Sequence, residues 1–122
     1  MEKKQILVVE DNDMNRQLVK VVLQKCGYHV IEATDGEEAI EAAREMRPDL
    51  ILMDIQLPSI SGYEVVKMLK QEAKTRDIPI VALTAKAMVG DPEKAIEAGC
   101  CTYISKPIDT RELPKIIDSL IR

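Results

Sequence analysis

Apolar and polar positions along this chain follow one order five times: a short apolar run, then an amphipathic stretch. The apolar runs have the length of single β-strands, and the amphipathic stretches place apolar residues at helical spacing. Four of the strands are predicted at residues 5–10, 29–33, 79–84 and 101–105. The third strand along the chain lies within residues 48–58 and ends at residue 54. The pattern therefore predicts five strands that alternate with five helices.

The predicted helices have identifiable ends and apolar faces. The first starts near residue 12 or 13 and ends at 26–27, the second covers 37–47, the third is capped by Ser61, the fourth runs from Pro92 to residue 98, and the fifth begins near 109 or 110. Ser61 and Glu64 have the spacing of a capping box, and Pro48 ends the second helix. Helical spacing links Met14, Leu18, Val21 and Val22, then Ala39, Ile40, Ala43 and Met46, then Val65, Val66, Leu69 and Ala73, and finally Leu113, Ile116, Ile117, Leu120 and Ile121.

Strict alternation of strands and helices predicts an α/β fold, with a parallel sheet, right-handed crossovers and helices on both faces. The third strand, Leu50 to Asp54, is a continuous apolar run that ends in one acid, which is typical of a strand buried on both sides. With no linker or repeat in 122 residues, we expect one domain over 1–122.

Composition narrows the classes of function. Apolar residues make up 46% and aromatic residues 2%, so the core must be aliphatic. The net charge of −4 argues against nucleic-acid binding, which needs basic patches. No apolar run approaches the ~20 residues of a membrane span, and the N-terminus lacks a signal peptide, so we expect a cytoplasmic protein. The chain has three cysteines, an odd number, and their spacing is not that of a zinc site.

Polar residues with related chemistry stand at the carboxyl ends of the predicted strands, where open α/β sheets place their ligands. They are Glu10, Asp11, Asp54, Thr84 and Lys106. In the strand order 2-1-3-4-5, strands 1 and 3 are neighbours, so the three acids would face one crevice. Two carboxylates at 4 Å repel by ~1 kcal/mol in water and by ~4 kcal/mol at an effective dielectric constant near 20. Either one acid stays protonated or a hard cation such as Mg²⁺ binds.

Lys106 and Thr84 would complete such a site. An ammonium and a hydroxyl can bind the oxygens of a phosphoryl group held on Asp54. A carboxylate nucleophile, a metal and a lysine together indicate phosphoryl transfer to aspartate. Taken singly, Asp54 reads as a strand-closing residue, Thr84 as an ordinary strand residue and Lys106 as a surface lysine. Only their joint placement favours the functional interpretation.

The order of these motifs resembles the receiver domain of two-component response regulators over essentially all 122 residues. The matching motifs are Glu10-Asp11, Met53-Asp54 followed by Leu57-Pro58 and Gly62, Thr84-Ala85, and Lys106-Pro107. Two further runs, Glu10-Asp11-Asn12 with Asn15-Arg16 and Tyr103 to Ile108, are similar to single-domain regulators of the DivK type and to receivers attached to hybrid histidine kinases. The family implies a flavodoxin-like doubly wound fold.

The resemblance also implies roles for individual residues. Asp54 would accept phosphate from a histidine, and Mg²⁺ would be held by Glu10, Asp11, Asp54 and the backbone carbonyl of Gln56. Thr84 and Tyr103 would form a switch pair, Lys106 would pair with the phosphoryl group, and the Lys106-Pro107 bond would be cis. Side chains at Gln56 and Lys86 would tune the lifetime of the phosphorylated state.

The partners implied are a histidine kinase or a histidine phosphotransfer protein, and a downstream protein bound through helix 4, strand 5 and helix 5. A monomer or a weak phosphorylation-dependent dimer is expected. The family would make this a switch and not an enzyme.

Two rival functions are weaker. An aspartate-nucleophile phosphatase carries a second acid two residues after its nucleophile, where this chain has Gln56, and a flavin mononucleotide carrier would place its phosphate against Glu10-Asp11-Asn12-Asp13, which would repel it. His29, the only histidine, is expected to be exposed and not catalytic.

Overall fold

A computed structural model describes residues 3–85 and 91–121 of the chain. Strands and helices alternate as predicted. The strands are β1 (Gln5–Val9), β2 (His29–Ala33), β3 (Leu50–Asp54), β4 (Ile80–Ala85) and β5 (Thr102–Lys106). The helices are α1 (Asp13–Lys25), α2 (Gly36–Met46), α3 (Gly62–Gln71), α4 (Asp91–Ala98) and α5 (Glu112–Ile121).

The five strands form one parallel sheet in the order β2-β1-β3-β4-β5, which confirms the predicted flavodoxin-like fold. Every residue of β3 is buried, as expected for a central strand covered on both faces. β2 lies at an edge, and its first residue, His29, is exposed as predicted.

Alternate residues of each strand point into two aliphatic cores, one on each face of the sheet. Leu7 and Met53 pack with residues of α2, α3 and α4 such as Val65. Ile6 and Leu52 belong to the opposite core, which residues of α1 and α5 cover. This layering leaves the carboxyl ends of the strands as the open edge of the sheet.

Helix α1 has a different buried face from the one its spacing suggested. Val19 and Leu23 are buried, whereas Met14, Leu18 and Val21 are 83%, 44% and 37% exposed. The helix carries two apolar stripes, and the stripe with Val19 and Leu23 meets the sheet, joined by the half-buried Val22 of the predicted stripe. An apolar strip of α1 therefore remains at the surface.

Other predicted details differ as well, and Leu120, predicted on the apolar stripe of the fifth helix, is 37% exposed. Met46, expected on the inner face of α2, is 45% exposed at the helix end. Ala73 lies beyond α3, because the chain turns after Gln71 and the Thr75 hydroxyl donates to the Leu69 carbonyl. The fifth helix begins at Glu112, later than predicted, after a turn in which the Asp109 carboxylate accepts from backbone N–H groups.

Across residues 3–85 and 91–121, none of the helices combines the length and apolar character needed to cross a bilayer.

Candidate functional site

The crevice at the carboxyl end of the sheet forms where β1 and β3 lie side by side. Val9 and Met53 are partners in the parallel register, so the next residues, Glu10 and Asp54, emerge together. β1 continues to α1 on one face of the sheet, and β3 continues to α3 on the other. This divergence opens the crevice between the two loops, as at the switch point of other doubly wound sheets.

Three carboxylates meet in this crevice. Glu10, Asp11 and Asp54 each offer an oxygen atom, and these atoms lie within 4.8 Å of one another. Glu10 and Asp54 are 0% and 2% exposed, whereas Asp11 faces solvent. Buried carboxylates at this spacing repel, so the group requires a proton, a partner cation or a metal.

Lys106 supplies one positive charge from the end of β5. Its Nζ lies 2.9 Å from Glu10 Oε1 and 3.2 Å from Asp54 Oδ2. The lysine side chain is 24% exposed, so its ammonium remains within reach of a molecule entering from solvent. Among the described residues, one ammonium faces two buried carboxylates, and its charge offsets only part of theirs.

This imbalance appears in the protonation of the site. Burial, followed by the contact with Glu10, raises the pKa of Asp54 to about 7. Burial also raises the pKa of Glu10, but its contacts with Asp54 and Lys106 outweigh burial and lower that pKa overall. For Lys106, burial lowers the pKa, whereas Glu10 and Asp54 together raise it above its ordinary value. Without a metal, Asp54 is thus the buried acid that takes up a proton as the pH falls through about 7, while Glu10 stays ionised.

Backbone groups fix the orientation of these acids. The Gln56 N–H donates to Asp54 Oδ1 at 2.9 Å, and the Asn12 N–H donates to Glu10 Oε2 at 3.3 Å. Gly62 N donates to the Ile55 carbonyl at 2.9 Å and folds the loop after β3 back on itself. A Cβ at Gly62 would lie 2.4 Å from the Asp54 carbonyl oxygen, so only glycine fits this close approach.

The side chains present fit a divalent cation. Although Lys106 Nζ is near, no donor among the described residues meets the buried Glu10 Oε1 in hydrogen-bond geometry. A buried carboxylate oxygen without such a donor, beside two further carboxylates, is the oxygen-only set that Mg²⁺ prefers. Glu10, Asp11 and Asp54 are therefore suitable magnesium ligands.

The other predicted site residues differ in their burial and in their position relative to this cluster. Thr84 is buried near the end of β4, the strand next to β3, and Tyr103 on β5 is 42% exposed. Gln56 is exposed and follows Asp54 in the loop after β3. Lys86 lies outside the described residues. The predicted cis peptide bond between Lys106 and Pro107 is confirmed.

Sequence reasoning assigned no role to Arg16. Its guanidinium contacts the Glu10 carbonyl, the Asp13 carboxylate and the Glu32 carboxylate, so it joins the ends of β1, α1 and β2. The sequence motif Asn15-Arg16 was a signal that this position is distinctive, but it gave no indication of those partners.

Comparison with known proteins agrees with the fold and the acidic cluster. The family profile described as the response regulator receiver domain matches residues 6–118. The polar-differentiation response regulator DivK of Brucella anthropi is 48% identical over 117 residues, which cover 96% of this chain and 93% of the relative.

Solved structures give the same result. A response regulator from Chloroflexus aurantiacus superposes with a TM-score of 0.95 at 32% identity, covering 98% of both chains. The receiver domain of a sensor histidine kinase from Pseudomonas aeruginosa has a TM-score of 0.91 at 38% identity, also over 98% of both chains. That crystal structure contains a magnesium ion coordinated in the active site cleft.

The family is thus shown by three independent lines: the sequence profile, a close relative over nearly the whole chain, and structural neighbours above 30% identity. Receivers of this kind are signalling proteins and not enzymes, which removes the phosphatase and flavin-carrier alternatives. The chain belongs to the response regulator receiver domain family of two-component signalling, and its Glu10, Asp11 and Asp54 form the acidic pocket expected of a phosphorylation site.

Proposed function

We propose that Asp54 accepts a phosphoryl group from a phosphohistidine of a histidine kinase or a histidine phosphotransfer protein, in a reaction that depends on Mg²⁺. The observation that carries this proposal is the meeting of three carboxylates with Lys106 Nζ, which lies 3.2 Å from Asp54 Oδ2. Asp54 is only 2% exposed, so its carboxylate is shielded from competing solvent.

The magnesium ligands in this proposal are the carboxylates of Glu10, Asp11 and Asp54 and the backbone carbonyl of Gln56. Bound there, Mg²⁺ would neutralise negative charge on the transferring phosphoryl group. The crystallised receiver from Pseudomonas aeruginosa, with magnesium in its cleft, supports this assignment for a relative with 38% identity.

The transfer itself is a displacement at phosphorus. An Asp54 carboxylate oxygen attacks, the P–O bond forms, and the P–N bond to the histidine breaks. The electron pair of that bond stays on the imidazole nitrogen, and because the other ring nitrogen keeps its proton, the histidine departs as neutral imidazole. Lys106, which faces Asp54 and Glu10 before the reaction, then pairs with a phosphoryl oxygen.

The same residues would couple phosphorylation to a change of surface. Thr84 would move towards the phosphoryl group, and Tyr103, now 42% exposed, would turn inwards to fill the space. The face made by α4, β5 and α5 would change for a downstream protein or for onward transfer of phosphate. A swing from 1:99 to 99:1 in the active form requires about 5.5 kcal/mol. Gln56 and Lys86 would set the lifetime of the aspartyl phosphate.

The exposed strip of α1 is the docking surface that we propose for the phosphohistidine donor. Met14, Leu18 and Val21 form an apolar patch beside the acidic crevice, together with Asn15 and Gln17. An apolar patch rimmed by polar groups is typical of a protein contact. A donor seated there and against the Lys106-Pro107 loop would bring its histidine towards Asp54.

A small-molecule phosphodonor tests the site without a partner. Acetyl phosphate should add the mass of one phosphoryl group to the intact protein in the presence of Mg²⁺, and addition should stop with EDTA. Asp54→Asn should remain unmodified, whereas Asp77→Asn, which removes an exposed acid, should behave as wild type. Continued phosphorylation of Asp54→Asn would refute the assignment.

A further inference from the structure

We propose that Arg16 is a positioning residue, which holds the segment Glu10–Asn12 in the shape that binds Mg²⁺. This inference rests on the proposed function, because it concerns the same metal site. Arg16 does not contact the Asp54 carboxylate, and it would act through the backbone of the loop that carries two of the three acids.

The contacts of Arg16 point in three directions. Nη1 donates to the Glu10 carbonyl oxygen at 2.9 Å, Nη2 contacts Asp13 Oδ1 at 2.6 Å, and Nε contacts Glu32 Oε1 at 3.2 Å. The arginine side chain is only 15% exposed, whereas Asp13 is 87% and Glu32 34% exposed, so the contact with the Glu10 carbonyl is the most sheltered of the three. The guanidinium therefore ties the end of β1 to the first turn of α1 and to β2.

The Glu10 carbonyl needs such a donor. β1 ends at Val9, and Glu10 is completely buried, with its N–H donating to the Ala33 carbonyl. A buried carbonyl at the end of a strand has no ladder partner on its outer side, and leaving it unpaired costs free energy. Arg16 provides that donor one turn along α1. A planar guanidinium holds its donors in fixed, diverging directions on three separate nitrogens, whereas the donors of a lysine ammonium all lie on one nitrogen.

The charge of Arg16 is already matched away from the metal site. Its counter-ions are Asp13 and Glu32, and Lys20 also pairs with Glu32 at 3.1 Å. Lys106 is the cation that faces the buried acids. Arg16 thus shapes the loop, whereas Lys106 neutralises its carboxylates.

A Mg²⁺ titration followed by amide NMR distinguishes the positioning effect of Arg16 from the effect of its positive charge. The test variant is Arg16→Met, and the matched control is Lys20→Met, which removes the same charge from the same helix and the same Glu32 but leaves the Glu10 carbonyl untouched. Removal of a positive charge near an acidic site should by itself tighten Mg²⁺ binding. Loss of positioning should weaken it, so the two effects have opposite signs.

We expect Arg16→Met to raise the Mg²⁺ dissociation constant on the order of tenfold, as loss of an outer-shell partner does in other metal sites. Lys20→Met should stay within about twofold of wild type, because surface ion pairs contribute little. Arg16→Lys keeps the charge and should fold even if Arg16→Met does not, and it should still bind Mg²⁺ more weakly than Lys20→Met.

The outcomes distinguish this inference from the function on which it rests. If wild type binds Mg²⁺ and both Arg16 variants bind it as tightly or more tightly, the positioning role is wrong while the metal site stands. Equal weakening in Lys20→Met would also overturn the role. If wild type fails to bind Mg²⁺, the proposed metal site is wrong, and the positioning role is wrong as well.

Discussion

Replacement of Asp54 by asparagine should stabilise the metal-free protein, although it removes the residue on which the proposed function depends. Asp54 is buried beside Glu10, and Lys106 at 3.2 Å offsets only part of the charge of the two acids. Asparagine keeps the shape of the side chain and removes one of the two buried charges. If the proposed function is correct, stability is lost at this site so that it can hold a metal and a phosphoryl group.

The size of the effect follows from the pKa of Asp54. Burial and the neighbouring Glu10 raise it from 3.8 to about 7. A difference of that size corresponds to about 4 kcal/mol of folding free energy once the carboxyl is fully ionised. The asparagine amide replaces the protonated carboxyl imperfectly, at a cost of about one hydrogen bond, so we expect a net gain of about 2 to 4 kcal/mol above neutral pH.

The pH dependence carries a definite sign. Because the pKa of Asp54 is higher in the folded protein, folding favours the protonated form. That stabilisation is complete below pH 3.8 and is lost as the pH rises through about 7. Glu10 has a lowered pKa, so its contribution has the opposite sign and is lost only on acidification below its usual 4.5. Between pH 4.5 and about 7, the change of stability with pH therefore reports on Asp54 and not on Glu10.

Urea unfolding followed by circular dichroism in EDTA measures this effect. The advantage of Asp54→Asn over wild type should be larger at about pH 8 than at about pH 5, by about 2 to 3 kcal/mol. Glu45→Gln removes an exposed acid from α2 and should change stability by less than about 0.5 kcal/mol at either pH. An Asp54→Asn protein no more stable than wild type at pH 8, or an advantage independent of pH, would refute the reasoning.

Further predictions concern docking, the loop after Asp54 and the thiols. Leu18→Arg, in the exposed strip of α1, should slow phosphotransfer from a histidine phosphotransfer protein by about tenfold or more. The rate of phosphorylation by acetyl phosphate should not change, and equal slowing with both donors would contradict the docking surface. Gly62→Ala should lower the free energy of unfolding by about 2 kcal/mol or more, because its Cβ would lie 2.4 Å from the Asp54 carbonyl oxygen; unchanged urea unfolding would contradict this. Burial raises the pKa of the Cys100 thiol to about 12, so Ellman's reagent should modify exposed Cys101 in the native protein but Cys100 only after unfolding; similar native rates for the two thiols would contradict the burial of Cys100.

The fold could be predicted because local signals and the global pattern agree. β3 reads as a buried strand from its unbroken apolar run, and its five residues are all buried. Ser61 was predicted to cap α3, and its hydroxyl accepts from the Glu64 N–H at 3.3 Å. The boundaries were less determined: the second helix was predicted to begin at residue 37, yet the Asp35 carboxylate caps it and α2 begins at Gly36.

The buried face of α1 could not be predicted with the same success. Met14, Leu18 and Val21 satisfy helical spacing as well as Val19 and Leu23 do. Periodicity identifies a helix, but with two apolar stripes it does not determine which one meets the sheet. The orientation of α1 follows from packing across β1 and β3, which involves residues distant in the sequence.

Some features of the candidate site could likewise be predicted from the sequence, and others could not. Residue types and strand ends predicted that Glu10, Asp11 and Asp54 would converge, and they do. The sequence could not rank their burial, so the high pKa of Asp54 required the three-dimensional arrangement. The contact from Arg16 to the Glu10 carbonyl involves a backbone atom, which leaves no trace in side-chain chemistry.

Amide NMR with beryllofluoride, a mimic of aspartyl phosphate, shows whether Asp54 is the phosphoacceptor of a switch. With Mg²⁺ present, we expect shifts around Asp54, Thr84 and Lys106 that extend to the exposed Tyr103 on β5. These shifts should require Mg²⁺ and disappear in Asp54→Asn. An unchanged spectrum, or the same shifts in Asp54→Asn, would contradict the claim that Asp54 is the phosphoacceptor of a switch.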